Sequence, residues 1–467
     1  MELTVGFDLD MTLVDTRAGL HAVMTRLSEE LGVPIDAELM VTRLGPPIEQ
    51  ELAYWLPAGE VAGAATRFRE LMAEFGAARC EALPGARAAV DVVRTSGGVV
   101  VVVTAKNEAL ARITLAAAGL EVDAVVGSLH GAGKASALRA HGATVYVGDH
   151  PLDVLGARAA SALCVGVRTG GVLPADADVL LEDLTSFPAW YDEHLLEARL
   201  AALETHLREL GSVLVAFSGG ADSAFLLAAA VRALGPDAVV AATAASPSLA
   251  QAELPAAAAY AASLGVRHLT PGTDELSREG YVANGPDRCF HCKATLLDTL
   301  RPLAAGHGLA HVATGTNADD AVAGFRPGIR AAAERGAATP LLDAGLTKAQ
   351  VRAASRRWGL VTADKPALAC LASRIAYGVQ VTPSRLARVD RAEVGLRAHL
   401  GAVVTDLRVR DLGGGTARVE LDERALEQCD DTALAVVRAA GFAVVTAARY
   451  RTGALNDALG GPLAATR

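Results

Sequence analysis

The chain has 467 residues, of which 51% are hydrophobic and 21% charged, and its net charge is −10. That length suits two or three domains with ample cores, and the apolar share excludes a disordered chain. The acidic balance argues against a duplex nucleic-acid binder, and the longest apolar run, inside GGVVVVVTAKN, is too short to span a bilayer.

MELTVGFDLD opens directly as a strand ending in carboxylates, with no leader pattern before it. Six cysteines in such a chain suggest a reducing, cytoplasmic setting. Two strand–loop–helix openings follow one another, at Val5–Thr12 and Val213–Leu227. Each leads into alternating apolar runs and amphipathic stretches, the pattern of α/β domains with mainly parallel sheets. The first series runs through 99–103, 144–148 and 163–167, with a mostly helical insertion over about residues 16–82. The second runs through 213–217, 238–243 and 311–314. Beyond Gly378 a helix at 383–399 precedes a hairpin around RVRDLGGGTARVEL, another helix and a last strand, AVVTAARY. The expected domains are therefore 1–192, 193–378 and a small α+β unit at 379–467.

The first site lies in FDLDMTLVDT, where Asp8 and Asp10 follow a buried strand. Strand ends of a parallel sheet face the ligand crevice, and paired carboxylates there call for a cation or a proton. A turn or helix cap is the plain alternative for an isolated Asp-x-Asp. Its companions are Thr104 at the end of VVVVTAKN, Lys134 opening the helix of GAGKASAL, and Asp149 with Asp153 in VYVGDHPLD.

In that order these segments resemble the four motifs of the haloacid dehalogenase superfamily, over about residues 1–190. The resemblance implies a Rossmann-like domain with a helical cap and a magnesium-dependent phosphomonoester hydrolase. Asp8 would be the nucleophile and Asp10 the general acid/base, with Thr104 and Lys134 holding the phosphoryl group. The Asp8 carboxylate, the Asp10 backbone carbonyl and Asp149 would bind Mg2+, supported by Asp153. Met11 stands where many relatives have glycine.

In the second series, VLVAFSGGADSAFLLAAAV is a strand, a glycine turn and a helix. Ser218, Gly219, Gly220, Asp222 and Ser223 offer donors and close backbone approach to a phosphate, but no Walker lysine follows. The stretch resembles the PP-loop of ATP pyrophosphatases. With TAASPSL, DRCFHCK, GTNADD, FRPGIRAA, PLLDAGLTK and DKPALACLASRIAYG it resembles the LarE-type ATP-dependent sulfur transferases over about 205–450. That family thiolates the carboxyl groups of pyridinium-3,5-dicarboxylate mononucleotide, toward the nickel-pincer nucleotide. Gly324 replaces a usual aspartate of the family and Ala376 a usual proline.

Cys80, Cys164 and Cys429 sit in apolar or helical contexts and read as core or incidental residues, leaving Cys289, Cys292 and Cys370. By its spacing alone RCFHCK is a zinc half-site, a dithiol switch or part of a sulfur centre. The resemblance implies that Cys289, Cys292 and Cys370 hold a 4Fe-4S cluster with one open iron carrying sulfide, or that Cys370 surrenders its own sulfur. It also implies substrate contacts from Lys293, Arg374, Glu393 and Arg410, metal support near ATP from Asp319 and Asp320, and assembly into a homo-oligomer. His291 reads as a variable residue of a short loop. The rival readings are an amide-forming PP-loop enzyme of the NAD synthetase kind, thiolation of another acceptor, and a regulatory first half. Cys370 speaks against amidation, and the intact set of Asp8, Asp10, Lys134 and Asp149 speaks against an idle first half.

Overall fold

The computed structural model describes residues 3–43, 47–322, 324, 326–366 and 370–451. The described residues up to Leu195 and those from Leu196 onward form two compact units.

The first unit is built on a six-stranded parallel sheet in the order Ala124–Val126, Val99–Val103, Thr4–Phe7, Ala143–Gly148, Leu163–Val167, Val179–Leu181. Val100 to Val103 are fully buried. A strand covered on both faces has no polar alternation, which is why this segment reads as a continuous valine run. Thr4–Phe7 lies at the centre, so its carboxyl end delivers Asp8 to the middle of the crevice. The insertion is helical, with Arg17–Leu31 and Ala58–Leu71 its longest elements. It enters and leaves through a short antiparallel ribbon, Val14–Asp15 against Glu81–Ala82. The edge strands Ala124–Val126 and Val179–Leu181, three residues each, are too short to show a period in the sequence.

The second unit carries a four-stranded parallel sheet ordered Arg267–Leu269, Val239–Ala242, Val213–Ala216, His311–Thr314. The helix Ala221–Leu234 buries nine residues between Ala221 and Ala230, and its Phe225 stacks on Trp358. Pro383–Leu400 then packs on a three-stranded sheet with a core of its own. In that sheet Leu407–Gly413 pairs antiparallel with Thr416–Leu421, which pairs parallel with Val444–Arg449. The turn uses Gly413, Gly414 and Gly415 at φ 86°, 58° and 78°. Three successive left-handed residues explain the GGG triplet, because a side chain is strained there.

RCFHCK is not a loop. Cys289 and Cys292 are the second and fifth residues of a helix, Arg288–Gly306, with i,i+3 spacing that sets both on one face. The loop expectation failed because the charged, aromatic-bearing hexapeptide lacks apolar periodicity. Cys80 and Cys164 are buried, while Cys429 is half-buried against the core of the last sheet. No helix among the described residues is long and apolar enough to cross a membrane.

Candidate functional site

In the first unit Asp8, Asp149 and Asp153 bring ligand oxygens within 4.8 Å of one another. Among the described residues no other group of three acidic, histidine or cysteine side chains converges so closely. Lys134 Nζ reaches into this cluster, donating to Asp8 Oδ1 at 2.8 Å, Asp153 Oδ1 at 2.7 Å and the Tyr146 hydroxyl at 2.8 Å. Burial works against the Lys134 charge, but Asp8 and Asp153 outweigh it and hold the ammonium firmly protonated. Asp153 Oδ2 also accepts from the His150 amide, so both of its oxygens are engaged. That leaves Asp8 and Asp149 as the carboxylates best able to hold a hard cation, with Asp153 orienting Lys134.

Burial pushes the Asp8 carboxyl up to about 7 against the pull of Lys134. It pushes Asp149 to about 8, helped by the charge of Asp8, while the Thr12 hydroxyl opposes it through a 2.8 Å bond. Two glycines make room here, since a Cβ on Gly170 would lie 2.0 Å from Asp149 Oδ2 and one on Gly148 2.4 Å from Asp153. Thr104 is buried at its strand end. Met11 adopts φ 58°, the left-handed conformation that accounts for glycine in relatives and costs a side chain about 1–2 kcal/mol.

The Asp10 carboxylate is not part of the group formed by Asp8, Asp149 and Asp153. It accepts from Lys106 Nζ at 2.6 Å. Lys106 was missed as a site residue; it lies two past Thr104 in TAKN, and only the fold shows that this turn meets the FDLD turn. Asp8, Asp10, Thr104, Lys106, Lys134, Asp149 and Asp153 line one cavity of about 180 Å³ with residues of the helical insertion.

In the second unit Gly219 takes φ 76°, and the backbone turns into the helix at Ala221. The Ser218 and Ser223 hydroxyls lie 3.1 Å apart. Lys365, which lines the same cavity as the turn, holds it by donating from Nζ to Gly219 O at 3.0 Å and Glu253 Oε2 at 2.8 Å. Asp222 Oδ1 is buried without a hydrogen bond, and burial raises its carboxyl. These residues open on a cavity of about 810 Å³. Lys293, Arg326, Lys348 and Arg352 line it as cations, and Cys289, Cys292 and Cys370 line it too.

The three thiols are unequal: Cys289 and Cys370 are exposed, Cys292 half-buried. Burial pushes Cys292 up to about 12, and the neighbouring Cys370, Glu275 and Cys289 add to the effect. Burial pushes Lys293 down against the pull of Cys292. The cysteines are not part of any group with ligand atoms within 4.8 Å, whereas one zinc at about 2.3 Å from each sulfur would hold them about 3.8 Å apart. His291 faces away, bonded to Asp287 and packed on Gly280, where a Cβ would lie 2.2 Å from Nε2.

Arg374, Glu393 and Arg410, expected near the substrate, are not among the residues lining this cavity. Arg374 is buried against Glu393 at 3.0 Å and bonds the Cys370 carbonyl at 3.3 Å; Arg410 is buried against Glu420 at 2.9 Å and bonds Ser373 O at 2.9 Å. Buried guanidiniums need buried carboxylates, and these pairs brace the Cys370 segment from behind. Arg288, also overlooked, braces it from the helix side by donating to Ala372 O at 2.9 Å. Asp319 is taken up by the Lys348 amide at 2.7 Å, whereas Asp320 lines the cavity. Ala376 donates its amide to Asp411 O at 2.9 Å, a bond the family's usual proline could not make. Gly324 sits at φ 73°. Residues 367–369 of the ACLASR region lie outside the described residues.

Residues 5–158 match the haloacid dehalogenase-like hydrolase family. Similar solved structures include the haloacid dehalogenase-like hydrolase SP0104 from Streptococcus pneumoniae, at 22% identity and TM-score 0.37, covering 41% of this chain and 98% of that one. CbbY from Rhodobacter sphaeroides, in complex with phosphate, is 21% identical with TM-score 0.33, over 40% and 96% of the two chains. An uncharacterized protein from Synechocystis is 41% identical over 272 residues, 57% of this chain and 99% of its own length. The pyridinium-3,5-bisthiocarboxylic acid mononucleotide synthase of Lactiplantibacillus plantarum is 33% identical over 269 residues, 56% of this chain and 96% of that protein. The chain belongs to that synthase family. It carries the LarE-like region behind a haloacid dehalogenase-like domain, consistent with a fusion of the two.

Proposed function

We propose that the chain joins a magnesium-dependent phosphomonoester hydrolase to an ATP-dependent sulfur transferase. The observation that carries the second activity is the meeting of the Ser218–Ser223 turn and three cysteines on one cavity.

In the first unit the Asp8 carboxylate attacks phosphorus while Asp10 protonates the leaving oxygen; water then hydrolyses the acyl phosphate, with Asp10 taking its proton. Lys134 and Thr104 hold the phosphoryl oxygens. Asp8 and Asp149 would hold Mg2+, which supplies charge stabilisation when bound.

In the second unit the Ser218–Ser223 turn and Lys348 hold the ATP phosphates. A substrate carboxylate displaces pyrophosphate from the α-phosphorus, giving an acyl-adenylate. A sulfur nucleophile then forms the C–S bond and AMP leaves. Cys289, Cys292 and Cys370 would hold a 4Fe-4S cluster, which supplies the sulfur when bound. The acceptor we favour is pyridinium-3,5-dicarboxylate mononucleotide, because the synthase named above covers this region almost end to end.

The test is product analysis on anaerobic, iron-loaded protein with that acceptor and labelled ATP. AMP, pyrophosphate and thiocarboxylate are expected, with Asp222→Ala reducing all three while phosphatase turnover persists. ADP and orthophosphate as the only nucleotide products traced to this unit would refute the assignment.

A further inference from the structure

The cavity over Asp8 is closed by the helical insertion with an apolar wall of Leu20, Met40, Phe68 and Met72. Beside this wall stand two carboxylates and two guanidiniums. Glu49 pairs with Arg69, which holds its carboxyl below the usual range, and Glu51 lies 3.3 Å from Arg43 Nε. The insertion therefore offers no surplus positive charge to a second anionic group on the substrate.

Among the described residues, two buried polar atoms of residues lining the cavity have no hydrogen-bond partner. Glu51 is 5% exposed and its Oε2 accepts none despite the nearby Arg43; Thr16 is 2% exposed and its Oγ1 has no partner. A buried acceptor left unmatched in the free protein is satisfied by a donor on the ligand. Hydroxyl groups provide such donors, and a flat apolar body covers the wall.

We propose that the phosphatase site takes a nucleoside 5′-monophosphate, with ribose hydroxyls donating to Glu51 and the base lying on Leu20, Met40, Phe68 and Met72. This rests on the phosphatase reading above. Asp8 takes the phosphoryl group as the P–O bond to the 5′ oxygen breaks and the nucleoside leaves protonated; water then cleaves the acyl phosphate and orthophosphate leaves. Phosphoglycolate and pyrophosphate are disfavoured because each sets a second anion among paired charges. A reaction that splits ATP into pyrophosphate and a mononucleotide supplies a substrate of this class.

The experiment measures orthophosphate release by the full chain with magnesium from AMP, 2′,3′-dideoxy-AMP, ribose 5-phosphate, phosphoglycolate, pyrophosphate and p-nitrophenyl phosphate. We expect kcat/KM for AMP to exceed that for phosphoglycolate, pyrophosphate and dideoxy-AMP by about tenfold or more, since lost hydrogen bonds to a buried acceptor carry that discrimination. In Glu51→Gln the AMP to dideoxy-AMP ratio should collapse. Phosphoglycolate or pyrophosphate ranking above AMP overturns the inference, as does an unchanged ratio in Glu51→Gln. If that variant does not fold, the wild-type ranking decides. No Asp8-dependent hydrolysis of any phosphomonoester, p-nitrophenyl phosphate included, defeats the phosphatase reading itself and this inference with it.

Discussion

Lys106 Nζ donates to Asp10 Oδ1 at 2.6 Å, and both side chains line the cavity over Asp8. The contact joins the turn after Val103 to the turn after Phe7, whose strands are neighbours in the sheet. It puts a cation beside the residue proposed to move the leaving-group proton. Lys106→Met should lower kcat/KM for phosphomonoesters by about ten- to a thousandfold through lost charge stabilisation, with little change in the thermal midpoint. Wild-type kinetics in this variant would reduce the pair to a surface ion pair.

Asp8 and Asp149, raised to about 7 and about 8 by burial, predict a pH dependence of stability. Without metal, the folded protein keeps protons that the unfolded chain releases near 3.8. The folded state then binds more protons than the unfolded one, so this contribution falls as pH rises from about 4 to about 8. Magnesium binds the ionised form, so its stabilising effect should be small near pH 5 and larger near pH 8, with proton uptake by buffer on addition. Thermal melts with and without magnesium check this; an equal midpoint shift at both pH values contradicts it.

Gly170 supplies a test that substitutes none of the proposed catalytic side chains. A Cβ there would fall 2.0 Å from Asp149 Oδ2, so the carboxylate must move. Gly170→Ala should raise the magnesium concentration needed for half-maximal phosphatase activity about tenfold, the scale of a disturbed supporting contact. A metal requirement identical to wild type would show that Asp149 does not ligate where it now points.

What the sequence made legible follows from how local each signal is. Asp8, Asp10, Lys134 and Asp149 stand at strand ends or helix starts, positions that an apolar run and its punctuation reveal. Lys106 and Gly170 act across the sheet, and no spacing along the chain announces that. The partners of Arg374 and Arg410 are hidden for the same reason: their ion pairs with Glu393 and Glu420 join residues distant along the chain or across a hairpin. The helix holding Cys289 and Cys292 was hidden because its first turn is polar and its apolar face begins only at Ala294.

The three cysteines give the last prediction. In iron-free protein at neutral pH, iodoacetamide should modify Cys289 and Cys370 well before Cys292, because they are exposed and Cys292 is held protonated with a pKa of about 12. Peptide mass spectrometry over a time course reads the order. Iron loading should then protect all three, since cluster ligation requires each sulfur as thiolate. His291→Ala should keep its iron, because that ring is engaged with Asp287 and Gly280 rather than turned toward the thiols. Loss of iron in His291→Ala would favour a mixed histidine–cysteine site. Protection of Cys289 and Cys292 alone would separate Cys370 from the cluster and return it to the role of sacrificial sulfur donor, a single loss of about 34 Da that ends the chain's turnover.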